Sequence, residues 1–138
     1  MRLEYFQLID RIVDLRPAER TIAVEATVPT ESTIFEGHFP GHPVMPGVLI
    51  GEAMAQTSGW LIIALNRFER MPFLAAIKEL KLRSFVQPGQ KIALDATLAH
   101  DGSGFAMTRA RGRVEGKLVC DATLTFRVVE FPNPQMRG

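Results

Sequence analysis

Pro46-Gly47-Val48-Leu49-Ile50-Gly51-Glu52-Ala53-Met54-Ala55-Gln56-Thr57-Ser58-Gly59-Trp60-Leu61-Ile62-Ile63-Ala64-Leu65 is the stretch on which the fold turns. Proline is tolerated in a first helical turn, where its missing N–H has no intrahelical partner in any case. From about residue 46 to about 66 the composition is helical, which at ~1.5 Å per residue gives roughly 30 Å, the width of a small domain. Val48, Leu49, Ile50, Ala53, Met54, Ala55, Trp60, Leu61, Ile62 and Ile63 leave no consistent polar stripe. A helix apolar on every side is normally enclosed by the rest of its fold. Glu52 and Gln56 interrupt the pattern, four apart and therefore on one face. Continued toward the carboxyl end, that face meets Gly59, Trp60 and Ile63, so its polarity stops after two turns.

What could enclose such a helix lies on both sides of it. Upstream, Ile22, Val24, Ala26 and Val28 alternate with Ala23, Glu25 and Thr27, the period of a half-buried strand. Residues 4 to 9 could form one helical turn leading to Arg11-Ile12-Val13-Asp14-Leu15. Between the strand and the helix, residues 29 to 47 crowd Gly37, Gly41, Gly47, Pro40, Pro43 and Pro46 together, which argues against any regular element there. Downstream come strand-like segments at Phe73 to Phe85, Ile92 to Leu98, Phe105 to Val114 and Leu118 to Val128. Pro88-Gly89, Asp101-Gly102-Ser103-Gly104 and Glu115-Gly116 supply the turns, the last a strong hairpin signal. One buried helix followed by an antiparallel meander predicts an α+β domain, a curved antiparallel sheet wrapped around one long central helix, with residues 1–138 as a single unit.

Composition narrows the partners. Sixteen basic and fifteen acidic side chains in 138 residues leave a net charge of +1, so no global field draws in nucleic acid or a membrane surface. The longest unbroken apolar run, Trp60 to Leu65, is far short of a membrane span. Cys120, the single cysteine, excludes an intrachain disulfide and sits in a strand pattern that predicts burial. Residues 1 to 6 carry acids early and no apolar signal core, so the expected location is the cytoplasm.

The chemistry gathers around the start of the helix. A carboxylate on an enclosed helix is costly unless it is paired, neutralised or opened to a cavity. Glu52 is therefore either a solvent-facing side chain near a favourable helix dipole or a functional acid. His38, framed by residues of restricted backbone, is positioned without being packed and suits proton transfer near neutral pH; a merely exposed loop histidine is the alternative. His42 is four residues away, but Pro40 and Pro43 prevent a shared helical face and no cysteine or third histidine lies near, so neither metal nor cofactor is expected. His100, next to a turn, reads as solvent-exposed. The unpaired N–H groups around Gly47 and Val48 point along the helix axis and suit a developing negative charge. Base, acid and oxyanion donor could thus all come from residues 38 to 52.

Gly37-His38-Phe39-Pro40-Gly41-His42-Pro43-Val44-Met45-Pro46-Gly47-Val48-Leu49, running on to Glu52-Ala53-Met54-Ala55-Gln56, resembles the signature of the (3R)-hydroxyacyl-acyl carrier protein dehydratases of the FabZ type. Lys81-Leu82-Arg83-Ser84-Phe85-Val86-Gln87-Pro88-Gly89 is similar to that family's strand and turn after the central helix, and the likeness extends over roughly residues 5 to 130. Glu52 stands where the sister dehydratase-isomerase branch tends to carry aspartate, which favours the plain dehydratase. The amino-terminal Tyr5-Phe6-Gln7-Leu8-Ile9-Asp10-Arg11 lacks the family's usual His-Arg-Tyr-Pro run.

The resemblance implies the hotdog fold and a homodimer with shared active sites, often assembled further as a trimer of dimers. His38 of one subunit would remove the proton from C2 and Glu52 of the other would assist loss of the C3 hydroxyl. Gly47 N–H, supported by Val48, would hold the thioester carbonyl, and Gln56 would orient Glu52. The acyl group would ride on acidic acyl carrier protein. Lys78, Lys81, Arg83, Arg109 and Arg111 are the candidate docking cations, with Arg113 continuing the alternation; a plain solvated strand face is the competing reading. Trp60 and Phe85 are candidates to close an acyl tunnel or to be ordinary core. A thioesterase of the same fold and a non-catalytic acyl-binding module are the rival functions.

Overall fold

The computed structural model describes residues 1–37, 41 and 43–131. Six strands form one antiparallel sheet in the order β1-β2-β4-β5-β6-β3: β1 Arg11–Arg16, β2 Thr21–Thr27, β3 Arg70–Leu82, β4 Lys91–Gly102, β5 Phe105–Val114 and β6 Lys117–Glu130. The central helix α2 spans Gly47–Leu65, with Pro46 as its N-cap rather than within the first turn. Leu49, Ile50, Ala53, Met54, Leu61 and Ile62 of α2 join Val24, Ile92, Leu94, Ala96, Ala110, Leu124 and Phe126 of the sheet in one core. Fully burying each large aliphatic side chain contributes about 1.5–3 kcal/mol.

The alternation read from the sequence is the alternation of burial. In β2, Ile22, Val24 and Ala26 are buried, and in β6 so are Cys120, Ala122, Leu124 and Phe126, although at its start Val119 of the opposite face is buried too and Leu118 only partly. Burial pushes the Cys120 thiol up to about 11. Gly112 of β5 leaves space for it: a β-carbon there would come within 2.6 Å of Cys120 Sγ. Ser103-Gly104 and Glu115-Gly116 each have two successive positive φ values, the geometry of the type I′ turns that suit twisted hairpins. His100 is exposed, as expected, within β4.

Three features differ from the sequence reading. Thr33–Gly37 forms a short helix, α1, inside the segment expected to be irregular. Its first amides are satisfied from a distance: Thr33 N–H donates to Glu4 Oε1 at 3.2 Å, and Ser32 Oγ donates to the same oxygen at 2.6 Å. These bonds, that from Ser32 foremost, hold the Glu4 carboxyl below its ordinary value. Second, α2 has the length and apolarity of a membrane span, with a mean hydropathy of 1.5, yet 56% of its most apolar window is buried in the fold. Third, α2 is not enclosed on every side, for Val48 is 83% exposed and Trp60 45%.

The sheet's two edges are unlike. On β1, Arg11 pairs with Glu25 at 2.6 Å and Arg16 with Asp14 at 2.7 Å. Edge strand β3 exposes Phe73, Ile77, Leu80 and Leu82, a larger apolar set than the Ile12 and Val13 that β1 exposes between its ion pairs. It is also irregular, with register shifts between Leu74 and Ala76 and between Lys78 and Lys81, where Glu79 takes a positive φ.

Candidate active site

Glu52 faces a trough of about 950 Å³. Its floor is one face of α2: Glu52, Ala55, Gln56, Gly59, Trp60 and Ile63. Residues Met71 to Leu74 at the start of β3, with Phe126, make one wall, and Arg2 with Phe6 to Asp10 make the other. The second wall is a hook closed by paired backbone bonds, Arg2 N–H to Gln7 O at 2.8 Å and Gln7 N–H to Arg2 O at 3.1 Å. Its Leu3 and Leu8 anchor it in the core.

Gln56 ties hook and helix together. Its Nε2 donates to Phe6 O at 2.7 Å and to Glu52 Oε1 at 3.3 Å, while its Oε1 accepts from Leu8 N–H at 3.2 Å. With both ends of the amide occupied, its orientation is fixed by backbone, and the Glu52 carboxylate is held from one side only. Asp10, the other carboxylate on the trough, already accepts Thr27 N–H at 2.6 Å. Glu52 is the acid left available. The clamp by the hook was not legible in sequence, because its backbone partners lie about fifty residues from Gln56.

The helix start faces a different cavity. Val44, Met45, Gly47, Ile50 and residues 82–87 line a second hollow of about 610 Å³. Leu49 and Ile50 N–H both return to Pro46 O, at 3.0 and 3.1 Å, and Gly47 and Val48 N–H have no backbone partner among the described residues. Leu82 covers Gly47 closely: a β-carbon there would meet Leu82 Cδ1 at 2.5 Å, so any larger residue would have to displace the Leu82 side chain. Gly47 and Glu52 are about 7.5 Å apart along the helix and open to separate hollows. One chain does not bring them together. His38 lies outside the described residues. Trp60 lines the trough with Glu52, whereas Phe85, 78% exposed, is neither core nor trough and borders the second hollow.

The candidate docking cations divide. Asp95 accepts from Arg111 at 3.2 Å and from Arg113 at 3.0 Å, and Asp121 from Arg83 at 2.7 Å. Lys81, Asp121, Arg111 and Asp95 form one cross-strand row of alternating charge on the outer face. Lys78, Thr123, Arg109 and Thr97 form the neighbouring row. Lys78, Lys81 and Arg109 have no ion-pair partner among the described residues.

Comparison with known proteins agrees with this architecture. The FabA-like domain model matches residues 2–123. A 3-hydroxyacyl-[acyl-carrier-protein] dehydratase FabZ of Ligilactobacillus salivarius is 40% identical over 122 residues, 88% of this chain and 86% of the relative. The FabZ of Symbiobacterium thermophilum is 34% identical over 131 residues, 94% of this chain and 92% of the relative. Among solved structures, a hypothetical thioesterase with coenzyme A from Streptococcus pneumoniae superposes with a TM-score of 0.70 at 16% identity, covering 89% of this chain and 88% of that one. At that identity it bears on the hotdog fold alone. With the family model spanning most of the sequence and the relatives aligned nearly end to end, this hotdog chain belongs to the FabA-like family and, within it, to the FabZ-type dehydratases.

Proposed function

We propose that the protein eliminates water from (3R)-3-hydroxyacyl-acyl carrier protein to give the trans-2-enoyl product of fatty acid synthesis, using His38 and Glu52. The observation that carries this reading is a carboxylate with a single side-chain hydrogen bond among the described residues, at one end of a trough that is otherwise largely apolar, in a chain of the FabZ family. A proton next to a thioester carbonyl is weakly acidic, so negative charge must be stabilised as it leaves. His38 takes the C2 proton; the C2–H electron pair, shared with the thioester carbonyl oxygen as charge builds, becomes the C2–C3 π bond as the C3–O bond breaks. Gly47 N–H, with Val48 beside it, receives the charge growing on the carbonyl oxygen; one such donor is typically worth about 3 kcal/mol. Glu52, in its acid form, gives a proton to the C3 oxygen, which leaves with the C3–O electron pair as water, and Gln56 holds the Glu52 carboxyl in place.

Because Gly47 and Glu52 open to different hollows, the complete site is read as composite: His38 and Gly47 from one protomer, Glu52 from the other. The apolar edge of β3 and the exposed Val48 and Trp60 support a homodimer, with the whole chain as one hotdog domain in each protomer; a trimer of dimers is the further assembly that the family resemblance implies. The partner delivering substrate is acyl carrier protein, and the expected compartment is the cytoplasm.

Incubation with a 3-hydroxyacyl thioester tests the reading. Enoyl thioester as product supports it; release of free thiol without enoyl product would instead mark a thioesterase, and neither product a mere acyl-binding module.

A further inference from the structure

We propose that Gly59 sets the length of acyl chain the trough accepts. The inference rests on the dehydratase reading above and goes beyond it to the substrate range. Glycine in the middle of a helix weakens it relative to alanine, so its presence there asks for a reason. At Gly47 and Gly112 the reason is packing, for a β-carbon would collide with Leu82 or Cys120. At Gly59 there is no such collision. Its backbone is helical without a positive φ, and an added β-carbon would meet only Pro72 Cγ at 3.7 Å, an ordinary contact.

What the missing side chain leaves is space in the trough. Gly59 is on the floor one helical step beyond Gln56, where the lining changes from polar to apolar, between the hook and Pro72. An acyl tail whose C3 sits at Glu52 and which runs along this floor passes Gly59 before it reaches Trp60 and Ile63. Helix rise puts Gly59 about 10 Å and Ile63 about 16 Å from Glu52. With carbon–carbon bonds of about 1.5 Å, a zigzag chain covers those distances in roughly eight and thirteen carbons beyond C3. A side chain at 59 would therefore obstruct long tails and spare short ones, while loss of bulk at Ile63 would extend the limit.

The test is kcat/KM for carrier-bound 3-hydroxyacyl substrates from about four to about sixteen carbons, with the wild type, Gly59→Ala, Gly59→Met and Ile63→Ala. The expected result is a long-to-short ratio that falls slightly in Gly59→Ala and at least about tenfold in Gly59→Met, and rises in Ile63→Ala. Gly59→Ala fits both the backbone and the contact distances, so the graded series survives even if the larger variant folds poorly. An equal loss at every length, or loss accompanied by dissociation of the assembly, would overturn the inference and make Gly59 a spacer between helices. An unchanged ratio would overturn it too. Wild-type protein that forms no enoyl product at any length would instead strike at the dehydratase reading itself.

Discussion

Helix α2 carries polar side chains on two flanks, and they are used differently. Thr57 and Ser58 are fully buried against the sheet side and satisfied there: Thr57 Oγ1 donates to Ala53 O at 2.8 Å, and Ser58 Oγ pairs with Thr108 Oγ1 of β5 at 2.7 Å. Glu52 and Gln56 lie on the trough flank, partly exposed, with one bond between them at 3.3 Å. Polarity on an apolar helix is therefore not evidence of chemistry by itself. The distinction is whether the group's hydrogen-bonding capacity is consumed inside the fold. Ser58 has nothing left to offer a substrate; among the described residues the Glu52 carboxylate keeps most of its lone pairs free.

Substitution on the two flanks should separate rate from stability. The largest effect is expected on the trough flank: Glu52→Gln, like His38→Ala, should lower turnover by roughly 10²- to 10⁴-fold, the usual contribution of positioned acid–base catalysis. The melting temperature of Glu52→Gln should stay close to wild type, because among the described residues no partner depends on its charge. Mixing then reports where the two groups come from. If the site is composite as proposed, co-refolded His38→Ala and Glu52→Gln chains would form hybrid dimers with one intact site, so about a quarter of wild-type activity should return under random pairing. A mixture as dead as its components would place both groups in the same chain.

The contrast between the sheet's edges predicts the next largest change. Leu80→Lys puts a charge on the apolar β3 edge and should weaken self-association at least about tenfold, measured by sedimentation, if that edge is buried between protomers. Ile12→Lys, on the ion-paired β1 edge, should leave the sedimentation profile unaltered. Equal responses would mean that neither edge is the interface.

On the packing flank the expected effect is thermodynamic. Ser58→Ala strands the buried Thr108 hydroxyl and should cost about 1–3 kcal/mol of unfolding free energy in denaturant titrations, with kcat retained. Adding Thr108→Val should cost less than the sum of the single changes, because the second substitution removes the orphan that the first creates. A large loss of kcat in Ser58→Ala at saturating substrate would erase the distinction between the flanks.

How much of this was readable beforehand follows from the range of the forces involved. The strands and α2 were legible because burial imposes a period on neighbouring residues, and Ile22, Val24 and Ala26 carry that period in plain view. The short helix α1 was hidden because its amides are bonded by Glu4 and Ser32, the former far away in sequence. Thr57 and Ser58 did not stand out beside Glu52 and Gln56, for only the fold reveals that Thr108 waits opposite one of them. At the site, Glu52 and Gln56 were brought together as their spacing requires. The separation of Gly47 from Glu52 was also implicit in helix rise, but that they open to different hollows depends on Leu82, the hook and β3. The irregularity around Glu79 has no local signal either, since a bulge is defined by a partner strand.

The smallest expected effect concerns the outer face of the sheet, where two adjacent rows of cations differ in what they face. Arg83 and Arg111 spend their guanidinium donors on Asp121 and Asp95, so each is paired before any partner arrives. Arg109 and Lys78 stand in a row with threonines and have no carboxylate to leave behind. An acidic carrier protein that makes contacts here should therefore lose more from the double variant Lys78→Ala/Arg109→Ala than from Arg83→Ala/Arg111→Ala, although both remove two positive charges. Exposed pairs are individually worth about 0.2–1 kcal/mol, so a rise of roughly two- to tenfold in KM for carrier-bound substrate is the scale to expect. It should shrink in high salt and be absent for a short thioester without the carrier. Equal effects from the two double variants would mean that the carrier senses only the summed field. No effect from either would move the docking surface off this face and leave the row as a solvated strand surface.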